Sequence, residues 1–339
     1  MAQDLTWPTA PIEGSALQHL IGSACTPLRN YDYTLWGFGE GPAIEALIAC
    51  SHTLEEPGWI DAAAALTRRS VEEPPESPLA DHVLPVPALA KLRTHREIPG
   101  LDSRLERWVE LVNLRGRSFA EGPRRHRPDR TDVGHWVWVD CMHTDGPGLA
   151  ALGHADEAVD VLLASCTALQ HDNGLFSHGY DATIHRPNNV HWGRGCGWAL
   201  WGLADTLRRT NNPALIEPLE KLISGLANYE VQGQWRTIVD DPDAPVERSI
   251  AALVAAALIP AISDGVVNES WLPLALRALE ATVQHCRQDG LLPVSAATPV
   301  GGPDVYLSIP DGIYPWGQGP AALAFIRAHT QLNISPRSS

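Results

Sequence analysis

Apolar residues recur with helical spacing along most of the chain, over 43–51, 59–71, 84–96, 104–115, 137–152, 155–170, 198–209, 214–231, 249–262, 271–288 and 319–332. In 198–209, for example, Leu200, Leu203 and Leu207 fall on one helical face. No long stretch alternates apolar and polar residues with a period of two, so the pattern predicts an all-α protein. The Ala-rich segment 250–262 is apolar all round, which marks a helix buried on every side.

The later segments also repeat a unit. HDNGLFSHGYD leads into WGRGCGWALWGLADTL, VQGQWRTIVDDPDAPVERS into IAALVAAALIPAI, and QDGLLPVSA with YPWGQG into PAALAFIRAHT. Each is a helix end, a glycine turn, a short polar loop and a new apolar helix, which is the pattern of stacked helix pairs. About six such pairs can close into a toroid whose inner-helix loops converge at one end, whereas an open superhelix needs polar capping repeats. The last segment repeats the unit almost in full, so closure is expected. The 339 residues then form a single domain, 1–339, with 1–30 as an N-terminal extension or a first outer helix.

Composition mainly excludes partners. The formal charge of −15 argues against nucleic acid or a long acidic polymer, because such binding draws on cationic surface. A small acidic ligand held by local cations remains compatible with it. The basic residues are nearly all Arg, which suits carboxylate recognition but is explained at least as well by a codon bias. Cys25, Cys50, Cys141, Cys166, Cys196 and Cys286 show neither CxxC pairs nor a compact framework, so reduced thiols are expected. The first residues, MAQDLTWPTAPIEG, lack a basic and an apolar signal region, and 250–262 would span only about 20 Å as a helix. No membrane partner is expected, and the default location is cytoplasmic. The oligomeric state cannot be read.

The polar loops before the apolar helices carry Tyr33 and Trp36, Asp81 and His82, His126 and Arg127, His135 and Asp140, His178 and Asp181, His191, Trp192 and Arg194, and Trp316 and Gln318. Such residues suit a carbohydrate site: Trp faces a sugar ring, carboxylates move protons, and Arg or His binds an acidic substituent. Asp140, inside WVWVDCM, has two readings. Apolar surroundings would prepare it to donate a proton near neutral pH, while Asp is also a favoured helix N-cap. Asp81, before HVLPVPALAKL, reads first as a cap. No HExxH pair occurs, so neither a metal nor a cofactor is expected. GFGEGP and GRGCGW follow no strand and no GxxxxGK[ST] occurs, which speaks against a nucleotide site.

In order and spacing, HRPD, WVDCMHTDGPGLAALG, GLFSHGYD, WGRGCGWALWGLADTL, QWRTIVDDPDAPVERS and YPWGQGPAALA resemble the unsaturated glucuronyl and rhamnogalacturonyl hydrolases of glycoside hydrolase families 88 and 105. The likeness runs from about Tyr33 to the C-terminus. It implies an (α/α)6 barrel and a hydrolase of small acidic oligosaccharides that hydrates the C4=C5 vinyl ether of a terminal unsaturated uronic acid. It implies Asp140 as general acid and base and Asp81 as a second catalytic carboxylate. It also implies substrate contacts for His126, Arg127, His178, Trp192 and Arg194, beside which Tyr33, Trp36 and Trp316 are candidates from their loops. Cys196 stands where the family often has a polar residue. A conventional inverting glycosidase using Asp81 and Asp140, or a non-catalytic sugar-binding homologue, are the rival readings.

Overall fold

The computed structural model describes residues 14–33, 38–73, 77–286 and 289–331. Outer and inner helices alternate along the chain: α1 (Gly14–Asn30), α2 (Glu40–Thr53), α3 (Gly58–Glu72), α4 (Val86–Leu92), α5 (Leu101–Leu114), α6 (Cys141–Ala151), α7 (Ala155–Leu169), α8 (Gly193–Thr210), α9 (Ile216–Asn228), α10 (Arg248–Ser263) and α11 (Leu272–His285). A short α12 (Pro303–Leu307) precedes the last inner helix, α13 (Pro315–Gln331). Packing runs from α2 to α4, α6, α8, α10 and α13 and back to α2, so the six inner helices close a ring. The fold is the (α/α)6 barrel that the repeats and the resemblance predict.

Composition sets which helices go inside. In α10 every residue from Ser249 to Ala261 is buried, as its unbroken apolar surface requires. Outer helices bury one stripe instead, such as Leu219, Leu222, Ile223 and Leu226 of α9. Small residues let inner helices approach: a Cβ at Gly319 would lie 2.6 Å from the Ala43 nitrogen, and one at Gly202 would collide with the Met142 carbonyl. A side chain at either position would force the ring open.

Short strands occupy the loops before the inner helices. β1 (Trp136–Trp138), β2 (Gly179–Asp181) and β3 (Arg186–Pro187) form an antiparallel ribbon in that order, with Val137 opposite Tyr180. β4 (Val294–Ser295) pairs with β5 (Asp311–Gly312). This corrects one sequence expectation, since 137–152 is not one helix. Trp136, Val137 and Trp138 are extended, with only the central Val fully buried, because this aromatic and β-branched run finds a partner strand in the next loop. Similarly, 84–96 reduces to α4, with Pro85 as its N-cap and Pro87 in its first turn. Residues 14–30 form a helix that packs on α13 and α2, the first outer helix of the two alternatives offered for 1–30. Among the described residues, no helix is long and apolar enough to cross a membrane.

Candidate active site

The β1–β2 pairing brings Asp140 and His178 together. The Val139 amide donates to the His178 carbonyl (2.9 Å), and each side chain follows from its loop into the same buried space. Asp140 occupies the N-cap position of α6, yet its side chain makes no capping hydrogen bond. Its Oδ2 lies 3.2 Å from His178 Nε2, and the two side chains are 8% and 0% exposed. A buried carboxylate that caps nothing is free for chemistry.

The far side of His178 fixes its tautomer. Tyr306 Oη accepts from Asn188 Nδ2 (3.1 Å) and from the Gly301 amide (3.3 Å), so its own proton goes to His178 Nδ1 at 2.8 Å. The proton of a neutral His178 then resides on Nε2, facing Asp140, an assignment made from the network. The approach to Asp140 is off the hydrogen-bond angle, leaving Asp140 Oδ2 and His178 Nε2 without an aligned partner.

Aromatic rings wall this space. Trp192 lies 4.2 Å from the His178 ring, and Trp138 lies 5.9 Å from it on another side while stacking on His126 at 3.9 Å. The Arg194 guanidinium sits over Trp192 at 4.9 Å and near Trp316 at 5.8 Å. Arg194 also donates to the Ser295 carbonyl (2.8 Å) and the Ala296 carbonyl (3.0 Å), and Trp316 Nε1 reaches the same Ser295 carbonyl (2.9 Å). Buried Glu247 accepts from the Ser295 amide and opposes the charge of Arg194. The guanidinium therefore pins the β4 loop to the start of α8 as well as flanking the site.

Direct contacts thus link Asp140, His178, Trp192, Arg194 and Trp316, and Trp138 connects His126 to His178. Other candidates are engaged elsewhere. Arg127 donates twice to Asp129 (2.8 and 2.7 Å), and this pairing holds the Asp129 carboxyl well below the usual carboxylate range. Tyr33 Oη donates to the Leu28 carbonyl (3.1 Å) at the end of α1. Gln318 clamps the Ala24 and Gly290 carbonyls and the Leu292 amide, and His191 pairs with Asp240 at 2.7 Å. Trp36 lies outside the described residues, as does the side chain of Asp81, whose backbone belongs to the 3-10 turn Pro78–Val83. Cys196 has a structural account: its Sγ accepts from the Phe176 amide (3.4 Å) and donates to the Phe176 carbonyl (3.6 Å), tying the FSHGYD turn to α8. Burial pushes this thiol up to about 12, so it is inert near neutrality. Trp138 and Tyr306 are site-wall residues that sequence reasoning did not single out.

Three buried histidines are held neutral. Burial, aided by the Arg115 charge, depresses His82 and His126, and burial lowers His143 to about 4. Unfolding restores an ordinary histidine value near 6.5. Below that pH the unfolded chain binds more protons than the folded one, so these groups contribute stability above about pH 6.5 that is lost as pH falls toward 4. Thermal melts should accordingly show Tm declining from pH 7 to pH 5. A Tm that is flat or rising over that interval would contradict the neutral assignment.

The loop end of the closed (α/α)6 barrel thus carries a buried carboxyl beside histidine and tryptophan, and the class of protein follows from comparison with known proteins. The model of Glycosyl Hydrolase Family 88 matches residues 24–332, and the chain belongs to that family. It is 26% identical over 253 residues to the unsaturated rhamnogalacturonyl hydrolase YesR of Bacillus subtilis, covering 68% of this chain and 72% of that one. Among solved structures, a possible GH105 member from Salmonella enterica serovar Paratyphi A superposes with a TM-score of 0.84 at 23% identity over 96% of both chains. The unsaturated glucuronyl hydrolase of Bacillus sp. GL1 superposes with a TM-score of 0.74 at 15% identity, over 95% of this chain and all of that one. The protein is a glycosidase.

Proposed function

We propose that the enzyme removes a 4,5-unsaturated uronic acid from the non-reducing end of short, lyase-generated oligosaccharides by hydrating its C4=C5 vinyl ether. The observation that carries this reading is a cluster of unpaired polar atoms in one buried space: Asp140 Oδ2, His178 Nε2, Trp138 Nε1 and Trp192 Nε1. Buried polar atoms are rarely left unpaired. Here they belong to a carboxyl, an imidazole and two indoles whose rings lie 5.9 and 4.2 Å from the His178 ring, groups suited to a polyhydroxylated ring.

In this mechanism protonated Asp140 gives its proton to C4 of the substrate. The ring oxygen stabilises the cation that develops at C5, and His178 Nε2–H faces the carboxylate left behind. That carboxylate then takes a proton from water as the water oxygen bonds to C5, which returns Asp140 to its starting state. The hemiketal at C5 opens to a ketone. Ring opening leaves C1 as a hemiacetal, which collapses to an aldehyde and releases the remaining saccharide with its hydroxyl. One water is consumed and no covalent sugar–enzyme bond forms.

A charge of −15 suits action on short substrates, since a long polyanion would be repelled. The six free cysteines accord with a cytoplasmic site of action. A screen of lyase-generated disaccharides from pectin and from glycosaminoglycans tests the reading. Loss of the ultraviolet absorbance of the conjugated double bond is expected for at least one of them. Cleavage of saturated glycosides alone would overturn it in favour of an anomeric mechanism.

A further inference from the structure

Beneath the site wall three ligand-type side chains converge that no single sequence motif contains. His82 comes from the 3-10 turn before α4, His126 from the loop after α5, and Cys141 from the first residue of α6. All three are buried, and a ligating atom of each lies within 4.8 Å of the others. His82 Nε2 is 3.0 Å from His126 Nδ1, which is 3.8 Å from Cys141 Sγ. A tetrahedral zinc ion, with bonds of about 2.0–2.1 Å to nitrogen and about 2.3 Å to sulfur, holds its donor atoms roughly 3.3 Å (N to N) and 3.6 Å (N to S) apart. The observed N–N spacing of 3.0 Å is slightly shorter and the N–S spacing of 3.8 Å slightly longer than those values, and the His82–Cys141 pair lies within 4.8 Å.

We propose that His82, His126 and Cys141 form a three-ligand site for a thiophilic divalent cation of the zinc class, with water completing the sphere. The surroundings are arranged for ligation. His82 Nδ1 donates to the Leu79 carbonyl at 2.8 Å, which leaves Nε2 as the lone-pair nitrogen facing the cluster. A backbone carbonyl on the distal nitrogen is the usual outer-shell partner of a metal-ligating histidine. His126 is held in place by Trp138, stacked at 3.9 Å, and by Phe38 at 5.5 Å. The nearest cation, Arg115, is already matched by Asp145, to whose carboxylate it donates twice. Two nitrogens and one sulfur select zinc-like ions over magnesium or calcium, which prefer oxygen.

Proton accounting is simple. The shared proton between the two imidazoles leaves His126 Nδ1 and is regained at Nε2 from solvent, while the Cys141 thiol loses its proton outright. One proton is released per ion bound, and no oxidant or reductant takes part. The site does not depend on the reaction assigned to Asp140, because its readout is ligation and not turnover.

Cobalt(II), a spectroscopic stand-in for zinc, tests it on the metal-free full-length chain. The expected result is a thiolate-to-cobalt charge-transfer band with intense tetrahedral d–d bands, saturating at a single ion per chain and abolished by zinc. Cys141→Ser should lose the charge-transfer band, His126→Gln should weaken zinc binding by at least about tenfold, and Cys166→Ser should leave both readouts unchanged. Circular dichroism of each variant confirms folding. Absence of the band in the folded wild-type chain, its survival in Cys141→Ser, or its loss in Cys166→Ser would each overturn the assignment.

Discussion

Replacing Asp140 with Asn should lower kcat by about 10³-fold, within the 10² to 10⁴ range typical of a general acid or base, while KM changes by no more than a few-fold. The substitution keeps the volume of the side chain, which is only 8% exposed, so packing at the start of α6 is retained. What is lost is the ionisable oxygen. The new amide can turn its carbonyl toward His178 Nε2–H and preserve the Tyr306–His178 arrangement, so the defect is chemical and not positional. Binding is expected to persist because the substitution leaves Trp138 and Trp192 of the proposed site wall in place. Steady-state kinetics on an unsaturated disaccharide, with binding of the same sugar measured by calorimetry, separates the two effects. Near-normal turnover by Asp140→Asn would assign the proton to another group.

The largest expected loss of stability lies one turn further along α6. Asp145 accepts two hydrogen bonds from Arg115, one at 2.9 Å, and the side chains are 6% and 0% exposed. Asp145→Ala strands a guanidinium in the barrel interior beside His82 and His126, and should cost about 3–5 kcal/mol in urea unfolding. Removing both charges should cost much less, because apolar residues of similar volume can replace a buried pair without leaving a charge unpaired. Arg115→Met combined with Asp145→Leu should therefore recover most of the loss. If Asp145→Ala alone cost less than about 1 kcal/mol, the range of an exposed pair, the interior ion pair would not be the support described.

Much of the architecture was legible in the sequence because helix pairs write it twice, once as periodicity and once as repeated loops. The all-round apolar surface of 250–262 foretold a buried inner helix, and the near-complete last repeat foretold closure. Asp140 was picked out by its apolar neighbours, although the N-cap reading, whose position it does occupy, stood beside the catalytic one, and His178 and Trp192 were picked out by their polar loops before an apolar helix. Contacts made across the ring were not legible. Tyr306 orients His178 from 128 residues away, and nothing in PDVYL announces it. Trp138 was absorbed into an apparent helix because three alternating residues are too few to declare a strand. Cys196 seemed an unexplained departure until the turn that it holds was visible. The His82–His126–Cys141 cluster escaped for the same reason as Tyr306, since a search for local ligand pairs cannot find three residues drawn from separate loops.

The central claim is that water adds across C4=C5 with Asp140 supplying the proton at C4. Proton NMR of turnover in D2O, on an unsaturated disaccharide identified by the absorbance screen, tests it most directly. The account predicts that the olefinic C4 proton signal disappears and that the early product carries one deuterium at C4 beside a C5 ketone. A released sugar that keeps its C4=C5 double bond after the glycosidic bond has broken would contradict it.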